Sequence, residues 1–234
     1  MTNLSVNVNK IATLRNSRGN NIPNLEEVTN SIIDFGADGI TLHPRPDQRH
    51  ITNADVFSLS PLVKKKVEFN IEGFPSNKFI NMVIEAKPDQ VTLVPDKDDV
   101  LTSLEGWDTI KEKAYLKDVV KEFANHDIRT SIFVHPELKM IDGVAAIGAD
   151  RIELFTGIYA QNNSTINDYS ACSVHAHKLG LGINAGHDLN LDNLSTFIAG
   201  LPFLDEVSIG HGLISESLFL GLENTINMYK RILA

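Results

Sequence analysis

The chain has 234 residues, of which 42% are hydrophobic and 22% are charged, and its formal net charge is −9. This composition is typical of a soluble globular domain, and the acidic balance argues against nucleic acid or an anionic membrane surface as a main partner. The single cysteine, Cys172, excludes an intrachain disulfide and fits a reducing compartment. With no signal-peptide pattern and no apolar run near ~20 residues, we expect a cytoplasmic protein that does not enter a membrane.

Strand-like segments rich in β-branched residues alternate with helix-like segments along the whole chain. The predicted strands are Leu4–Val8, Gly39–His43, Val67–Glu72, Gln90–Val94, Arg129–Val134, Arg151–Phe155, Leu181–Asn184 and Glu206–Ile209. A polar loop through Arg15, Arg18 and Gly19 is predicted after the first strand, and a long loop, Pro95–Trp107, after the fourth. An amphipathic helix is predicted to close the chain from about Ser215. Eight βα units at a spacing of ~30 residues predict an α/β protein, a (β/α)8 TIM barrel that forms one domain over residues 1–234.

Two segments that lie four βα units apart resemble each other. The segment Phe35-Gly36-Ala37-Asp38-Gly39-Ile40-Thr41-Leu42 is echoed by Ile147-Gly148-Ala149-Asp150-Arg151-Ile152-Glu153-Leu154. A half-barrel repeat would place them at this separation, which favours the barrel. The alternative fold is an open doubly wound sheet, but no G-x-G-x-x-G motif follows the first strand.

Candidate functional residues follow the predicted strands, where a barrel builds its active site. The loop after the second strand holds two imidazoles and two guanidiniums, and an arginine fork suits a phosphate or carboxylate. Taken alone, that loop is more typical of a solvated basic surface. Ionisable or polar groups recur, however, at the ends of other strands: Asn7, Asn9, Lys10, His43, Arg45, Glu72, Thr102, His135, Glu153, His187 and His211.

Carboxyl and imidazole groups gathered at one mouth suit repeated proton transfers near neutral pH. Glu72 and Glu153 lie inside strand patterns, where an unpaired charge is costly, so a structural role would require an Arg or Lys partner. We therefore expect both carboxyls to be functional, together with His43 and His187, while His135 is open. Surface or packing roles are expected for the helix-borne or helix-end histidines His126, His175 and His177.

The ionisable residues at the predicted strand ends could in principle bind a metal ion or a phosphate. Metal hydrolases also carry His and Glu at barrel strand ends, but no H-x-H motif follows the first strand and no closely spaced carboxylate pair occurs. Acid–base chemistry is therefore favoured over a metal site. Gly210, His211 and Gly212 follow the last strand and open a helix whose N–H groups can bind a phosphate, although an ordinary glycine turn is an equal alternative.

Motifs spread over nearly the whole chain carry a family resemblance. The first is Val6-Asn7-Val8-Asn9-Lys10-Ile11-Ala12-Thr13-Leu14-Arg15-Asn16-Ser17-Arg18-Gly19. The second is Gly36-Ala37-Asp38-Gly39-Ile40-Thr41-Leu42-His43, followed by Arg45 and Arg49-His50-Ile51. The later ones are Phe69-Asn70-Ile71-Glu72, Leu93-Val94-Pro95, Ile152-Glu153-Leu154-Phe155-Thr156-Gly157, Asn184-Ala185-Gly186-His187 and Ile209-Gly210-His211. Jointly, and in this order, they resemble the pyridoxine 5'-phosphate synthase family.

The resemblance implies a (β/α)8 barrel with additional short helices and a specific condensation. In that reaction 3-amino-2-oxopropyl phosphate is joined to 1-deoxy-D-xylulose 5-phosphate, and pyridoxine 5'-phosphate, inorganic phosphate and water are released. No metal or organic cofactor is implied, and the partners are two small phosphorylated substrates. A homo-oligomer, an octamer built from dimers, is implied as well.

The resemblance also implies residue roles. His43 would be a general base, Glu72 an acid–base group and His187 a general acid, while Glu153 would stabilise the transition state. The aminooxopropyl phosphate would be held by Asn7, Gly210 and His211. The deoxyxylulose phosphate would be held by Arg45, His50 and Thr102, with Arg18 on a mobile or intersubunit element near the phosphate.

Three places depart from the family pattern. Asn9-Lys10 stands where Asp-His is common, Asp188 stands where Gly is common, and His135 stands where an acidic residue is usual. Asn9, Lys10 and Asp188 remain predicted substrate contacts. If the main-chain N–H of Asp188 holds a phosphate, its carboxylate must point away from that phosphate.

Two other functions fit a barrel that binds phosphorylated metabolites. One is a non-catalytic sensor or scaffold, which has no need for the proton-transfer groups present here. The other is a sugar-phosphate aldolase or isomerase, which would usually require a metal or a strand-end lysine for a Schiff base. Lys10 is the one lysine that we can place near a strand end.

Overall fold

The structure, a computed structural model, describes residues 1–96 and 105–234. The described residues form a closed barrel of parallel strands in sequence order, in which the last strand pairs with the first. This confirms the predicted (β/α)8 barrel, and each predicted strand matches an observed one to within two residues. The strands are β1 (Asn3–Asn7), β2 (Gly39–Leu42), β3 (Glu68–Gly73), β4 (Gln90–Leu93), β5 (Arg129–Val134), β6 (Arg151–Phe155), β7 (Gly182–Gly186) and β8 (Glu206–Ile209).

Helices surround the barrel, and extra short ones lie beyond the basic repeat. They are α1 (Asn9–Asn16), α2 (Leu25–Asp34), α3 (Asn53–Val63), α4 (Asn77–Ala86), α5 (Lys113–Ala124), α6 (Leu138–Ile147), α7 (Gly157–Gln161), α8 (Ile166–Lys178), α9 (Leu194–Gly200), α10 (His211–Leu220), α11 (Leu222–Leu233) and a 3-10 turn at Asn163–Thr165. Polar side chains cap the starts of α2, α3 and α4. Thr52 and Asp55 form a reciprocal capping box at α3, and the Ser76 hydroxyl accepts from the Phe79 N–H at 3.2 Å.

Two local predictions are wrong. The segment through Arg15, predicted as a polar loop, is helix α1, and its guanidinium binds both carboxylate oxygens of Asp55 at 2.6 and 2.8 Å. That bidentate ion pair ties α1 to the start of α3, a long-range contact that local polarity does not reveal. The single closing helix is two helices, because Gly221 adopts a φ of 81° between α10 and α11.

An aspartate just before each even-numbered strand clamps the preceding odd-numbered strand. Asp38 accepts from the Leu4 N–H at 2.8 Å, and its own N–H donates to the Leu4 carbonyl at 2.9 Å. The internal similarity between residues 35–42 and 147–154 therefore has a structural cause that recurs every two strands. The equivalent pairs are Asp89 with Phe69, Asp150 with Thr130, and Asp205 with Ile183.

The barrel interior is polar at mid-height, whereas branched apolar side chains commonly fill this space. The Ser5 and Thr41 hydroxyls lie 2.8 Å apart, Asn70 donates to Thr41 at 3.3 Å, and Thr92 donates to Asn70 at 3.2 Å. Because side chains alternate along a strand, the next inward position above Asn70 is Glu72. The same alternation places Glu153 inside the barrel, so both carboxyls enter the mouth from strands.

Candidate active site

A cavity of about 350 Å³ opens where the strands end at the C-terminal mouth of the barrel. It brings together every residue with a predicted catalytic or substrate-binding role except two. Arg18 is exposed beyond α1 and lies outside the described lining, and Thr102 lies outside the described residues. The predicted residues that line the cavity are Asn7, Asn9, Lys10, His43, Arg45, His50, Glu72, Glu153, His187, Asp188, Gly210 and His211.

Glu72 and Glu153 are buried carboxyls without an Arg or Lys partner among the described residues. Glu72 accepts from Ser208 Oγ at 3.4 Å and from Asn7 Nδ2 at 3.5 Å. Burial, followed by the nearby Glu153 charge, raises the pKa of Glu72 well above its usual range. Burial also raises the pKa of Glu153 to about 7, although the Thr92 hydroxyl and His187 act in the opposite direction. Such carboxyls can both donate and accept protons near neutral pH.

His43 lies beside Glu72, with 3.7 Å between Nδ1 and Oε2. Burial, followed by the charges of Arg45 and His50, lowers the pKa of His43 to about 3, so the imidazole is neutral at physiological pH. The Asn9 side chain fixes the backbone here: its Oδ1 accepts from the His43 N–H at 3.0 Å, and its Nδ2 donates to the His43 carbonyl at 3.4 Å. The pair therefore consists of a neutral imidazole, which can accept a proton, and a carboxyl group whose raised pKa favours its protonated form.

The loop that carries His50 is anchored to α1. Asn16 Nδ2 donates to the His50 carbonyl at 2.8 Å, and His50 Nδ1 accepts from the Ile51 N–H at 2.9 Å. That acceptor role assigns the ring proton of the neutral imidazole to Nε2. Burial, followed by the charges of Arg45 and Lys10, lowers the pKa of His50 to about 4. His50 is therefore a neutral hydrogen-bond donor through Nε2 rather than a cation.

Arg45 is buried at the side of the mouth. Its Nη2 lies 3.0 Å from Asp96 Oδ2, and both side chains are under a tenth exposed. A buried guanidinium held by a carboxylate has a fixed orientation, as a planar anion site requires. Asp96 immediately precedes the segment 97–104, which includes Thr102.

The end of β7 fits closely around Glu153. A Cβ atom at Gly186 would lie 2.4 Å from Glu153 Oε1, so glycine at this position makes room for the carboxyl. The Thr156 hydroxyl binds the carbonyls of Gly186, at 2.7 Å, and of His187. The His187 ring meets Phe155 edge-on, with 5.1 Å between ring centroids. Backbone and ring contacts together fix the orientation of His187.

The N-terminus of α10 borders the mouth at the end of β8, next to β1. Gly210 packs against β1, where an added Cβ would lie 3.1 Å from the Asn7 Cβ. At Gly212 an added Cβ would meet the Leu189 carbonyl at 2.5 Å. This close approach places the first main-chain N–H groups of α10 beside the cavity, an arrangement that suits a phosphate.

The sequence matches a family model described as "Pyridoxal phosphate biosynthesis protein PdxJ" over residues 4–234. The chain belongs to this family. A curated relative named pyridoxine 5'-phosphate synthase, from Christiangramia forsetii, is 56% identical over 238 residues that cover 100% of each chain. A relative of the same name from Bacteroides fragilis is 52% identical over 238 residues, again covering 100% of each chain.

More distant solved structures share the fold. Phosphoribosyl anthranilate isomerase from Thermotoga maritima has a TM-score of 0.63 at 15% identity, covering 99% of this chain and 98% of that chain. Deoxyribose phosphate aldolase from Aeropyrum pernix has a TM-score of 0.61 at 16% identity, covering 98% and 89%. At these identities the similarity shows the barrel alone.

Sequence reasoning missed several residues of this PdxJ-family site. Ser208 contacts Glu72, and the alternation along β8 would have placed it at an inward position. Phe155, Thr156 and Asp96 act through contacts across the fold, for which the sequence gives no local signal. The histidines outside the cavity have other partners: His135 pairs with Glu105, His175 with Asp142 and His126 with Glu122, while His177 stacks on Phe203.

The raised pKa of Glu153 predicts that this carboxyl lowers the stability of the folded protein by a measurable amount. A carboxyl whose pKa rises from 4.5 to about 7 on folding destabilises the native state once the unfolded chain ionises. The penalty is absent below about pH 4.5, grows up to about pH 7 and is constant above it. We therefore expect Glu153→Gln to raise Tm at pH 8, on the order of 5 °C, and to leave it unchanged at pH 4.

Thermal unfolding at the two pH values measures this effect. The matched control is Glu85→Gln, which removes an exposed carboxyl from α4 and should leave Tm unchanged at both pH values. A Glu153→Gln variant that is less stable than the parent at pH 8 would show that the ionised carboxyl is satisfied in the folded state.

Proposed function

We propose that this chain catalyses the synthesis of pyridoxine 5'-phosphate from 3-amino-2-oxopropyl phosphate and 1-deoxy-D-xylulose 5-phosphate, with release of inorganic phosphate and water. The observation that carries the proposal is that a PdxJ-family chain gathers His43, Glu72, Glu153 and His187 around one cavity. An amine–ketone condensation, the loss of phosphate and the dehydrations each require a proton to be delivered or removed. Four groups able to exchange protons suit this sequence of steps.

His43 and Glu72 form the first proton-transfer pair in this proposal. His43, as a neutral imidazole, accepts a proton, and Glu72, as a carboxyl with a raised pKa, donates one and takes it back. The 3.7 Å between their nearest atoms lets a proton pass between them with a small movement. This supports repeated use of the same pair as the ring closes.

Glu153 and His187 form the opposite side of the reaction space. His187 is the proposed general acid that delivers protons to departing oxygens. Glu153, whose pKa of about 7 lets it exist in either form, is the proposed supporting carboxylate that stabilises the transition state. Gly186 supports this role because its missing side chain lets the carboxyl approach the end of β7.

The two phosphates would bind at two different parts of the mouth. Asn7, Gly210 and His211, with the first N–H groups of α10, would hold the aminooxopropyl phosphate. The deoxyxylulose phosphate would lie near α1 and the loop after β2. The residues proposed for it are Asn9, Lys10, Arg18, Arg45, His50 and Thr102.

The experiment that tests the proposal combines both phosphates with purified protein and follows pyridoxine 5'-phosphate by its absorbance. Formation of the product only when both substrates and the protein are present is the expected result. A protein that binds either phosphate without product formation would instead be a binding barrel. Cleavage or isomerisation of a single sugar phosphate would identify an aldolase or isomerase.

Activity is expected to persist after exhaustive chelation, because the proton-transfer groups suffice without a Lewis acid. Within residues 1–96 and 105–234, no three His, Cys, Asp or Glu side chains are arranged to hold a metal ion. The measurement is turnover before and after dialysis against a strong chelator. Loss of activity that one added divalent ion restores would contradict the cofactor-free mechanism.

The assembly and location of the protein are part of the same proposal. In the described ranges no helix has the length and apolar character required to cross a membrane. We propose a cytoplasmic homo-oligomer, an octamer built from dimers by family resemblance. Leu218 and Phe219 at the end of α10 are 75% and 90% exposed, as expected of side chains that contact another subunit.

A further inference from the structure

The loop after β7 contains a close contact between an imidazole and a carboxylate on neighbouring residues. His187 Nδ1 lies 2.9 Å from Asp188 Oδ2, and the two side chains are 19% and 47% exposed. Both residues adopt a positive φ, 86° and 58°, a region that side chains other than Gly, Asn and Asp rarely occupy. The backbone is held in this conformation by the Thr156 hydroxyl, which binds the His187 carbonyl, and by Asn193 Nδ2, which donates to the Asp188 carbonyl at 3.1 Å.

The contact explains how a carboxylate is accommodated in a cavity built for phosphates. A carboxylate aimed at a phosphate would repel it. Here the Asp188 side chain is turned to the imidazole, and its contact with His187 is the largest cause of a lowered pKa of Asp188. The aspartate is therefore ionised, and its charge is directed at His187.

We propose that Asp188 is a positioning residue that holds the His187 imidazole through Nδ1 and stabilises its protonated form, so that His187 exchanges protons with the substrate through Nε2. This inference rests on the proposed function for its catalytic consequence, but the contact between His187 and Asp188 exists without substrate. It gives a role to the position where the family commonly has glycine. The edge-on Phe155 ring and the Asp188 carboxylate would then fix the imidazole from two directions.

Other titratable groups face His187 and Asp188, and their titration also contributes to the pH dependence of kcat. Glu153 faces His187 from β6, and His211 faces Asp188 from the start of α10. On the far side of Phe155, His135 meets the same ring at 5.4 Å. The remaining ionisable groups around the cavity are Lys10, His43, Arg45, His50 and Glu72.

The test compares Asp188→Asn with the parent protein in two measurements. Asparagine keeps a carbonyl that can accept from Nδ1–H but removes the charge. We expect the alkaline limb of the kcat profile to move to lower pH by about one unit. At a pH above the parent limb this lowers kcat by about tenfold, whereas kcat well below the limb stays within about threefold.

The second measurement is an NMR titration of the His187 ring without substrate, assigned by the signal that His187→Gln removes. We expect its midpoint to fall in Asp188→Asn by the same amount as the kinetic limb. Because this titration needs no turnover, it tests the ion pair even if the proposed reaction fails. An unchanged midpoint would overturn the inference, and so would a kcat that falls equally at every pH.

Two further variants keep the test decisive. Asp188→Gly removes the same carboxylate and suits a φ of 58°, so it should fold even if Asp188→Asn does not, and its titration midpoint should also fall. Asp192→Asn is the matched control, because it removes an exposed carboxylate from the same loop. A shift of equal size in Asp192→Asn would show that net charge, rather than the contact with Nδ1, controls His187.

Discussion

Replacing Glu72 by glutamine is expected to lower kcat by ~10²-fold or more, the usual weight of general acid–base catalysis. Glutamine preserves the shape of the side chain and can still bond with Ser208 and Asn7, but it cannot ionise. KM for both phosphates should therefore stay within a few-fold. Steady-state kinetics with each substrate varied in turn measures both quantities.

The control for this experiment is Glu85→Gln, which replaces an exposed carboxylate on α4 by a carboxamide. This variant should retain the parent kcat. Thermal unfolding at pH 8 checks that the Glu72→Gln fold is intact. The burial that raises the pKa of Glu72 predicts that this variant is at least as stable as the parent at that pH. Near-normal turnover in Glu72→Gln would remove the residue from the proton-transfer mechanism.

Lys10→Ala is expected to raise KM for the deoxyxylulose phosphate by roughly ten- to a hundred-fold, because a charge-assisted hydrogen bond contributes ~1.5–3 kcal/mol. Lys10 lies in the first turn of α1 and lines the cavity, and its charge contributes to the lowered pKa of His50. A cation is disfavoured at a helix N-terminus, so this position favours an anionic ligand over a structural role. kcat should stay within a few-fold, as expected for lost uniform binding.

Lys117→Ala provides the matched control, since it removes an exposed lysine from α5, far from the cavity lining. The double variant Asn9→Asp with Lys10→His restores the common family pair and should be active. An unchanged KM in Lys10→Ala would make the lysine a solvated bystander. A lost kcat would instead make it a chemical participant and favour the Schiff-base alternative.

Much of the fold could be predicted because its strands and helices are specified by local sequence patterns. The strands follow from β-branched runs, and the alternation of strands and helices leads to the barrel. Helix α1 was missed because its buried residues are few, Ile11 and Ala12, and its main anchor is the distant Asp55. Asp38 and Asp150 belong to the repeat that is visible in the sequence. Their role, which is to bind the main chain of the neighbouring strand, could be recognised only in the structure.

The sequence predicted which residues belong to the site better than it predicted the contacts between them. Strand ends and family motifs identify which residues meet at the mouth. They do not reveal that Arg45 faces Asp96, that the Asn9 amide binds the main chain of His43, or that Asp188 turns to His187. These pairings depend on side-chain rotamers and loop conformations, which the identity of a residue leaves open.

The most direct test of the account measures pyridoxine 5'-phosphate and inorganic phosphate together, in one reaction with both substrates and chelator-treated protein. The account predicts that the two products appear at the same rate and in equal amounts, and that both rates fall together by ~10²-fold or more in Glu72→Gln. Phosphate release without pyridoxine 5'-phosphate, or formation of both products at the parent rate by Glu72→Gln, would contradict it.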